Sequence, residues 1–178
     1  MAGNKVETTI LTADDIERML KRLTHELIEA NRGVKDIVLL GVVTRGDILA
    51  RRIGRLIETF EERSVPVGTL DITLYRDDSA HSLKPTQASD IPVDLSGKHV
   101  ILVDDVIFSG RTVRAALDAL NDFGRPATVQ LLVLLDRGHR QLPISPNFVG
   151  KNLPTAVSEQ VQVQLLETDG AEKVTITK

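Results

Sequence analysis

The sequence predicts an α/β domain with a mainly parallel central sheet flanked by helices. Two continuous apolar runs, residues 37–43 and 100–103, and a further largely apolar strand at residues 128–135 are spaced along the chain. Such runs suit strands covered on both faces, as in a parallel sheet. The first two lead through short polar loops into amphipathic helices, and the last follows the second helix. The repeating strand–loop–helix unit is the pattern of a right-handed crossover fold.

A chain of 178 residues is expected to form a single domain spanning residues 1–178. With 42% hydrophobic and 26% charged residues it has the composition of an ordinary globular protein. It contains no cysteine, which excludes disulfides, thiolate zinc sites and cysteine nucleophiles. The first residues lack the apolar core of a signal peptide, and no apolar run reaches the roughly 20 residues that span a bilayer. The expectation is a cytoplasmic protein with no membrane partner. A net charge of −3 argues against an overall basic nucleic-acid binder and leaves room for a local basic face.

In chain order, Thr12 with Asp15 three residues later resembles a helix start. Ile16, Met19, Leu20, Leu23, Leu27 and Ile28 then recur at helical spacing, and Gly33 marks the stop. The opposite face carries Arg18, Lys21, Arg22, His25 and Arg32. It is either a solvated mixed-charge surface or a surface for a polyanion. The strand at residues 37–43 ends in Thr44, Arg45, Gly46 and Asp47, and a helix is expected over residues 48–60. Residues 65–74 alternate enough to predict another strand. Residues 75–90 are polar and aperiodic, which fits a mobile loop covering a site. Val113, Ala116, Leu117, Leu120 and Phe123 form a helix stripe, stopped by Gly124 and Pro126. The strand at 128–135 ends in Asp136, Arg137, Gly138, His139 and Arg140. Pro143, Pro146 and Pro154 predict an irregular stretch to about residue 157, followed by strands at 161–165 and 174–176.

The chemistry concentrates at residues 100–112. Four apolar residues end in Asp104 and Asp105, and Val106, Ile107, Phe108, Ser109, Gly110, Arg111 and Thr112 follow before the next helix. Such a loop can turn successive backbone N–H groups inward, with the Ser109 and Thr112 hydroxyls as added donors. Gly110 permits close approach or a left-handed backbone. With the helix N-terminus behind it, this nest suits a phosphate monoester. Two adjacent carboxylates beside it make sense as acceptors for sugar hydroxyls, as stabilisers of positive charge on a sugar carbon, or as ligands of a hydrated Mg²⁺. Left without partners, such a pair would be costly to bury. There is neither a Gly-x-x-x-x-Gly-Lys-Ser/Thr loop nor a Gly-x-Gly-x-x-Gly motif. A phosphoacceptor aspartate would not explain the hydroxyl-rich loop. His25, His81, His99 and His139 lack metal-ligand spacing. The parts call for a phosphorylated sugar.

Residues 100–112 resemble the phosphoribosyl diphosphate (PRPP) signature of type I phosphoribosyltransferases. Further stretches are similar to the PyrR family of pyrimidine operon attenuation regulators with uracil phosphoribosyltransferase activity: residues 41–46, 71–78, 88–94, 110–115, 135–144 and 149–155. Together they span about residues 12–168. The resemblance implies the type I phosphoribosyltransferase fold, with a flexible loop at about 75–90 and a small hood at about 136–157 joined by the C-terminal strands. It implies that Val106, Ile107, Phe108, Ser109, Gly110, Arg111 and Thr112 hold the 5-phosphate of PRPP or UMP. Asp104 and Asp105 would hold the ribose hydroxyls and stabilise an oxocarbenium-like transition state. Thr44, Arg45 and Gly46 would form the pyrophosphate loop, with Arg76 as a further cation there. Mg²⁺ would accompany PRPP, and Arg137, Gly138 and His139 would lie in the base-recognising hood.

The resemblance also implies binding to the leader of pyrimidine operon mRNA, promoted by UMP or UTP, and self-association as a homodimer or higher oligomer. Lys21, Arg22, His25, Arg140 and Lys151 are its candidate RNA contacts. Ala30 and Ser145 stand where the family commonly has basic residues, and Phe108 replaces a common Tyr. Each lost phosphate contact would weaken the electrostatic part of RNA binding. The alternatives are a uracil or purine-salvage phosphoribosyltransferase without RNA regulation, and a nucleotide sensor with weak catalysis. PRPP and UMP share the 5-phosphate and ribose, so the signature motif identifies the ligand better than the task.

Overall fold

The structure is a computed structural model, and it describes residues 6–77 and 88–178. The chain runs through β1 (Glu7–Thr12), α1 (Ala13–Ala30), β2 (Ile37–Val42), α2 (Arg45–Glu61), β3 (Val67–Leu70) and a 3-10 turn (Thr73–Tyr75). It continues through β4 (His99–Ile107), α3 (Arg111–Leu120), β5 (Thr128–Asp136), β6 (Phe148–Asn152), β7 (Gln160–Gln164), α4 (Leu166–Asp169) and β8 (Lys173–Thr177). Five parallel strands form the main sheet in the order β3-β2-β4-β5-β6, with β4 at its centre. A second sheet of three antiparallel strands has the order β1-β8-β7.

Each face of the main sheet has its own core, sorted by the two-residue period of the strands. Ile37 and Leu39 of β2 and Ile101 and Val103 of β4 face one side, where Ile16, Leu20, Leu23 and Leu27 of α1 and Leu49, Ile53 and Ile57 of α2 pack. Val38, Leu40, Val100 and Leu102 face the other, against Val113, Ala116, Ala119 and Leu120 of α3. Each buried Leu, Ile or Val among them contributes about 1.5–3 kcal/mol relative to exposure.

α1 begins as its sequence indicates. The Thr12 hydroxyl accepts from the Asp15 N–H at 3.3 Å, and the Asp15 carboxylate accepts from the Thr12 N–H at 3.0 Å. The hydrogen bonds from Thr12, helped by Arg18, hold the Asp15 carboxyl down to about 2.

Two expectations need correction, and one strand is added to them. The strand expected over residues 65–74 ends at Leu70, because the Asp71 carboxylate accepts from the N–H of Thr73 at 2.8 Å and turns the chain. The stretch expected to be irregular to about residue 157 contains β6, with Phe148 buried, and so the hood region supplies an edge strand of the main sheet. Pro143, Pro146 and Pro154 bracket that strand without interrupting it. The N-terminal segment forms β1, whose partner is β8 at the far end of the sequence. Of the loop expected at 75–90, residues 78–87 lie outside the described residues. No helix among the described residues is long and apolar enough to cross a membrane.

Candidate functional site

The C-terminal edge of the main sheet gathers the candidate residues, as open parallel sheets favour. β4 runs through the acid pair to Ile107 and stays in register with β5, Asp104 opposite Val133 and Ile107 opposite Asp136. Its side-chain alternation changes there. Val106 packs with the core of α1 and α2, and Ile107 with the core of α3, the reverse of the parity upstream. This change falls at Asp104 and Asp105. Asp104 is buried and its Oδ1 accepts from the Asp105 N–H at 2.9 Å, while Asp105 Oδ1 accepts from the Val106 N–H at 2.8 Å. Burial raises both carboxyls above the usual carboxylate range. Asp104 is raised further by the like charge of Asp105, against an opposing pull from Arg76. Hydrogen bonds from its neighbours and the charge of Arg45 restrain the rise of Asp105.

The loop after β4 closes onto α3. Gly110 is the helix N-cap with φ 92°, a left-handed backbone that favours glycine, and a side chain there would touch Leu142 and Ile144. The Ser109 hydroxyl accepts from the Arg111 N–H at 3.4 Å, which ties the loop to the first turn of α3, where the helix leaves backbone N–H groups without helical partners.

The segment after β5 braces this loop. Arg137 N–H donates to the Ile107 carbonyl at 3.0 Å, and Gln141 N–H donates to the Ser109 carbonyl at 2.9 Å. Arg111 Nε donates to Gln141 Oε1 at 3.0 Å, and Arg111 Nη1 pairs with Asp77 at 2.7 Å. The Arg137 guanidinium covers the Phe108 ring and donates to Thr155 Oγ1 at 3.0 Å and to the Glu159 carbonyl at 2.7 Å. The His139 ring meets Phe108 edge-on at 5.4 Å, and its Nε2 is hydrogen-bonded to the Thr155 carbonyl. Gly138 N–H donates to Asp136 Oδ1 at 2.9 Å.

The third element is the turn from β2 into α2. The Val43–Thr44 peptide is cis, Thr44 is exposed, and Arg45 opens the helix. Gly46 rests on the backbone of Val103 and Asp104 so closely that a side chain there would overlap the Val103 carbonyl. The absence of that side chain seats the Thr44–Arg45–Gly46 turn against the acid pair. Thus the structure places Thr44, Arg45, Gly46, Asp104, Asp105 and the loop 106–112 along one sheet edge, with Arg137, Gly138 and His139 behind the loop. Thr155, Glu159 and Gln141, which brace these residues, and Asp169, which pairs with Arg45, were not singled out from the sequence. Nothing local in the sequence marks them, since each acts on a residue far away in the chain or through a backbone atom.

Residues 7–168 match the Phosphoribosyl transferase domain family. The chain is 56% identical over 174 residues to the bifunctional protein PyrR of Chloroflexus aurantiacus, covering 97% of this chain and 96% of that protein. It is 56% identical over 173 residues to bifunctional protein PyrR 1 of Lactiplantibacillus plantarum, covering 95% and 96%. The chain belongs to the PyrR family. The fold is similar to that of the hypoxanthine phosphoribosyl transferase of Trypanosoma cruzi, with a TM-score of 0.75 at 20% identity, covering 100% of this chain and 94% of that one. The five-stranded parallel sheet with its flanking helices is accordingly the type I phosphoribosyltransferase fold.

In this PyrR chain the basic candidates divide into two groups. Lys21, Arg22 and His25 are exposed on α1, where Lys21 pairs with Glu17 and Arg22 with Glu26, each at 2.6 Å. Arg22 Nη2 also donates to the Gly150 carbonyl at 2.5 Å, which ties α1 to β6 beside exposed Lys151. His25 stacks on Phe60 of α2 with ring centroids 4.2 Å apart. Arg140 instead turns inward. It pairs with Asp136 at 2.6 Å and donates to the carbonyls of Phe108 and Ile144, each at 2.9 Å. Among the described residues no group of three or more His, Asp or Glu forms a metal cage.

Proposed function

We propose that the protein transfers the phosphoribosyl group of PRPP to uracil, yielding UMP and diphosphate, and that it regulates pyrimidine operon attenuation by binding leader mRNA in response to UMP or UTP. The observation that carries the enzymatic half is the seating of Gly46 on Val103 and Asp104, which sets a cationic turn beside buried Asp104 and half-buried Asp105, from which the chain leads into the loop capped by Gly110. Membership of the PyrR family supports uracil as the base and RNA as the partner.

In this reading the loop 106–112 and the first turn of α3 take the 5-phosphate, and Asp104 and Asp105 accept hydrogen bonds from the ribose hydroxyls. The C1–oxygen bond to diphosphate breaks as the bond from uracil N1 forms, and the N1 proton passes to the departing diphosphate or to solvent. The two adjacent carboxylates favour the positive charge that develops on the sugar. Arg45, with the backbone of Thr44 and Gly46, receives the diphosphate, and Arg76 adds positive charge near Asp104. Arg137, Gly138 and His139 flank the base.

The acid pair fits a Mg²⁺ brought in with PRPP, because two adjacent carboxylates and substrate oxygens supply the oxygen shell this ion prefers. When bound, the ion offsets charge on the departing diphosphate. Residues 1–178 act as one phosphoribosyltransferase domain in this reading, cytoplasmic and self-associating. Lys21, Arg22, His25 and Lys151 form its RNA face, and Arg140 braces the phosphate loop through Asp136 and the Phe108 carbonyl.

The test is UMP formation from uracil and PRPP, with and without the double change Asp104→Asn and Asp105→Asn. The double variant is expected to lose on the order of 10²–10³ in kcat, and unchanged turnover would overturn the enzymatic half. Binding of pyrimidine leader RNA is expected to tighten with UMP. Binding that ignores the nucleotide would leave an enzyme without the regulatory task.

A further inference from the structure

Two arginines seven positions apart fasten one face of α2 to the turn between β7 and β8. Arg52 pairs with Glu167, Nη2 to Oε2 at 2.6 Å, and with Glu172, Nη1 to Oε1 at 2.6 Å. Arg45 pairs with Asp169 through two hydrogen bonds, Nη2 to Oδ1 at 2.8 Å and Nε to Oδ2 at 3.3 Å. The first pair lies about 10 Å further along the helix. The second lies at its first residue, next to the glycine that rests on Asp104.

Three observations separate Arg45–Asp169 from a simple surface tie. Both side chains are largely covered, 28% and 15% exposed, so the pair is less screened than an exposed bridge. Asp169 Oδ2 also accepts from the Leu165 N–H at 2.8 Å, which fixes the carboxylate before it meets the arginine. Arg45 follows the exposed Thr44 and precedes the glycine that rests on Asp104, and its charge reaches Asp105. A guanidinium has five N–H donors in one plane. Asp169 engages the Nε and Nη2 edge and leaves the N–H groups of Nη1 for a second anion.

We propose that Asp169 is a positioning residue for the diphosphate of PRPP: it fixes the plane of the Arg45 guanidinium so that the remaining N–H groups meet that anion. The inference rests on the transfer reading above. A carboxylate beside a diphosphate-binding arginine lessens the attraction for the anion, and it aids binding only by orienting the donors. A latch that competes with diphosphate would act with the opposite sign, so the sign of the effect decides.

Asp169→Asn is expected to raise the KM for PRPP about tenfold while kcat changes less than about threefold. The affinity for magnesium diphosphate alone, measured by calorimetry, falls in parallel. Glu167→Gln, which loosens the same turn through Arg52, is expected to lower Tm and leave the KM for PRPP within about twofold. Asp169→Glu retains the charge and displaces the guanidinium by one methylene, so its KM for PRPP rises about threefold even if Asp169→Asn folds poorly. An unchanged or lowered KM in the Asp169 variants, or an equal rise in Glu167→Gln, overturns the proposal. If the parent protein binds diphosphate and forms no UMP, the transfer reading fails, and the calorimetric comparison alone still decides the role of Asp169.

Discussion

The guanidinium of Arg137 lies 4.4 Å from the centroid of the Phe108 ring, so a residue after β5 packs on the loop after β4. The same guanidinium donates to Thr155 and to the Glu159 carbonyl, and it therefore links three segments with one plane. Lysine has the charge but neither the plane nor the fork of donors. Arg137→Lys is expected to lower kcat/KM for uracil about tenfold. It should also lower Tm by a few degrees, since hydrogen bonds from a charged group contribute about 1.5–3 kcal/mol. Steady-state kinetics and thermal melting check both. Unchanged kinetics would remove Arg137 from the base site.

The acid pair predicts an acidic limit to activity and an opposition between activity and stability. A protonated carboxyl is a poorer acceptor for ribose hydroxyls, and burial raises both groups. UMP formation should therefore fall on the acid side at a pH above the ordinary carboxylate range. For stability, the folded state holds the Asp104 proton to higher pH than the unfolded chain, whose ordinary value is 3.8. Folding then loses stability as pH rises from 3.8 through the folded value, and the loss persists at neutral pH. Asp104→Asn carries no charge to desolvate. It is expected to melt a few degrees higher than the parent at pH 7, with the gain vanishing below pH 3.8, while UMP formation collapses. Equal melting at neutral pH would show that the buried charge is compensated.

Arg140 makes a different prediction. Its guanidinium reaches Asp136 and the carbonyls of Phe108, Gly138 and Ile144, so it ties the phosphate loop to the segment that follows β5. Burial pushes the Asp136 carboxyl up, but Arg140 and the Gly138 N–H outweigh it and hold the carboxyl below its usual range. Arg140→Gln is expected to cost about 2–3 kcal/mol, or roughly 5–10 °C in Tm for a protein of this size. The lowered folded value means that this stabilisation is present above the unfolded carboxylate range and lost as pH falls through the folded one. The difference between parent and variant should thus be widest near neutrality and narrow in acid.

What the sequence discloses is local. The strand, acid pair, loop and helix from Val100 to Leu120 follow from apolar periodicity and a glycine, and both the register of β4 and the cap at Gly110 agree. Thr12 and Asp15 mark a helix start because both partners of the cap lie within four residues. Long-range pairings leave no such trace. Arg45 and Asp169 are 124 positions apart, and β1 forms by pairing with β8. β6 is a five-residue edge strand between prolines, too short for periodicity to declare. Arg140 reads as one more basic residue near Lys151, and only the fold shows that its acceptors lie inward.

That contrast yields a test of the RNA face. Lys21 is exposed, and its bond to Glu17 is an i, i+4 surface pair, a type that contributes little to stability. Lys21→Ala should therefore leave Tm and UMP formation near those of the parent. If Lys21 meets an RNA phosphate, its loss removes one counterion-releasing contact. The slope of log affinity against log salt then becomes shallower by about 0.7–0.9. The weakening should be similar for different leader sequences, because a phosphate contact reads no base. Lys151→Ala should act in the same way and combine with Lys21→Ala additively. Arg140→Gln should instead lower Tm and leave the salt slope unchanged, because its guanidinium is engaged by Asp136 and by backbone carbonyls. Titrations of leader RNA at several salt concentrations, each paired with a melting curve, separate the two patterns. A salt slope unchanged in Lys21→Ala would mean that this face of α1 is merely solvated.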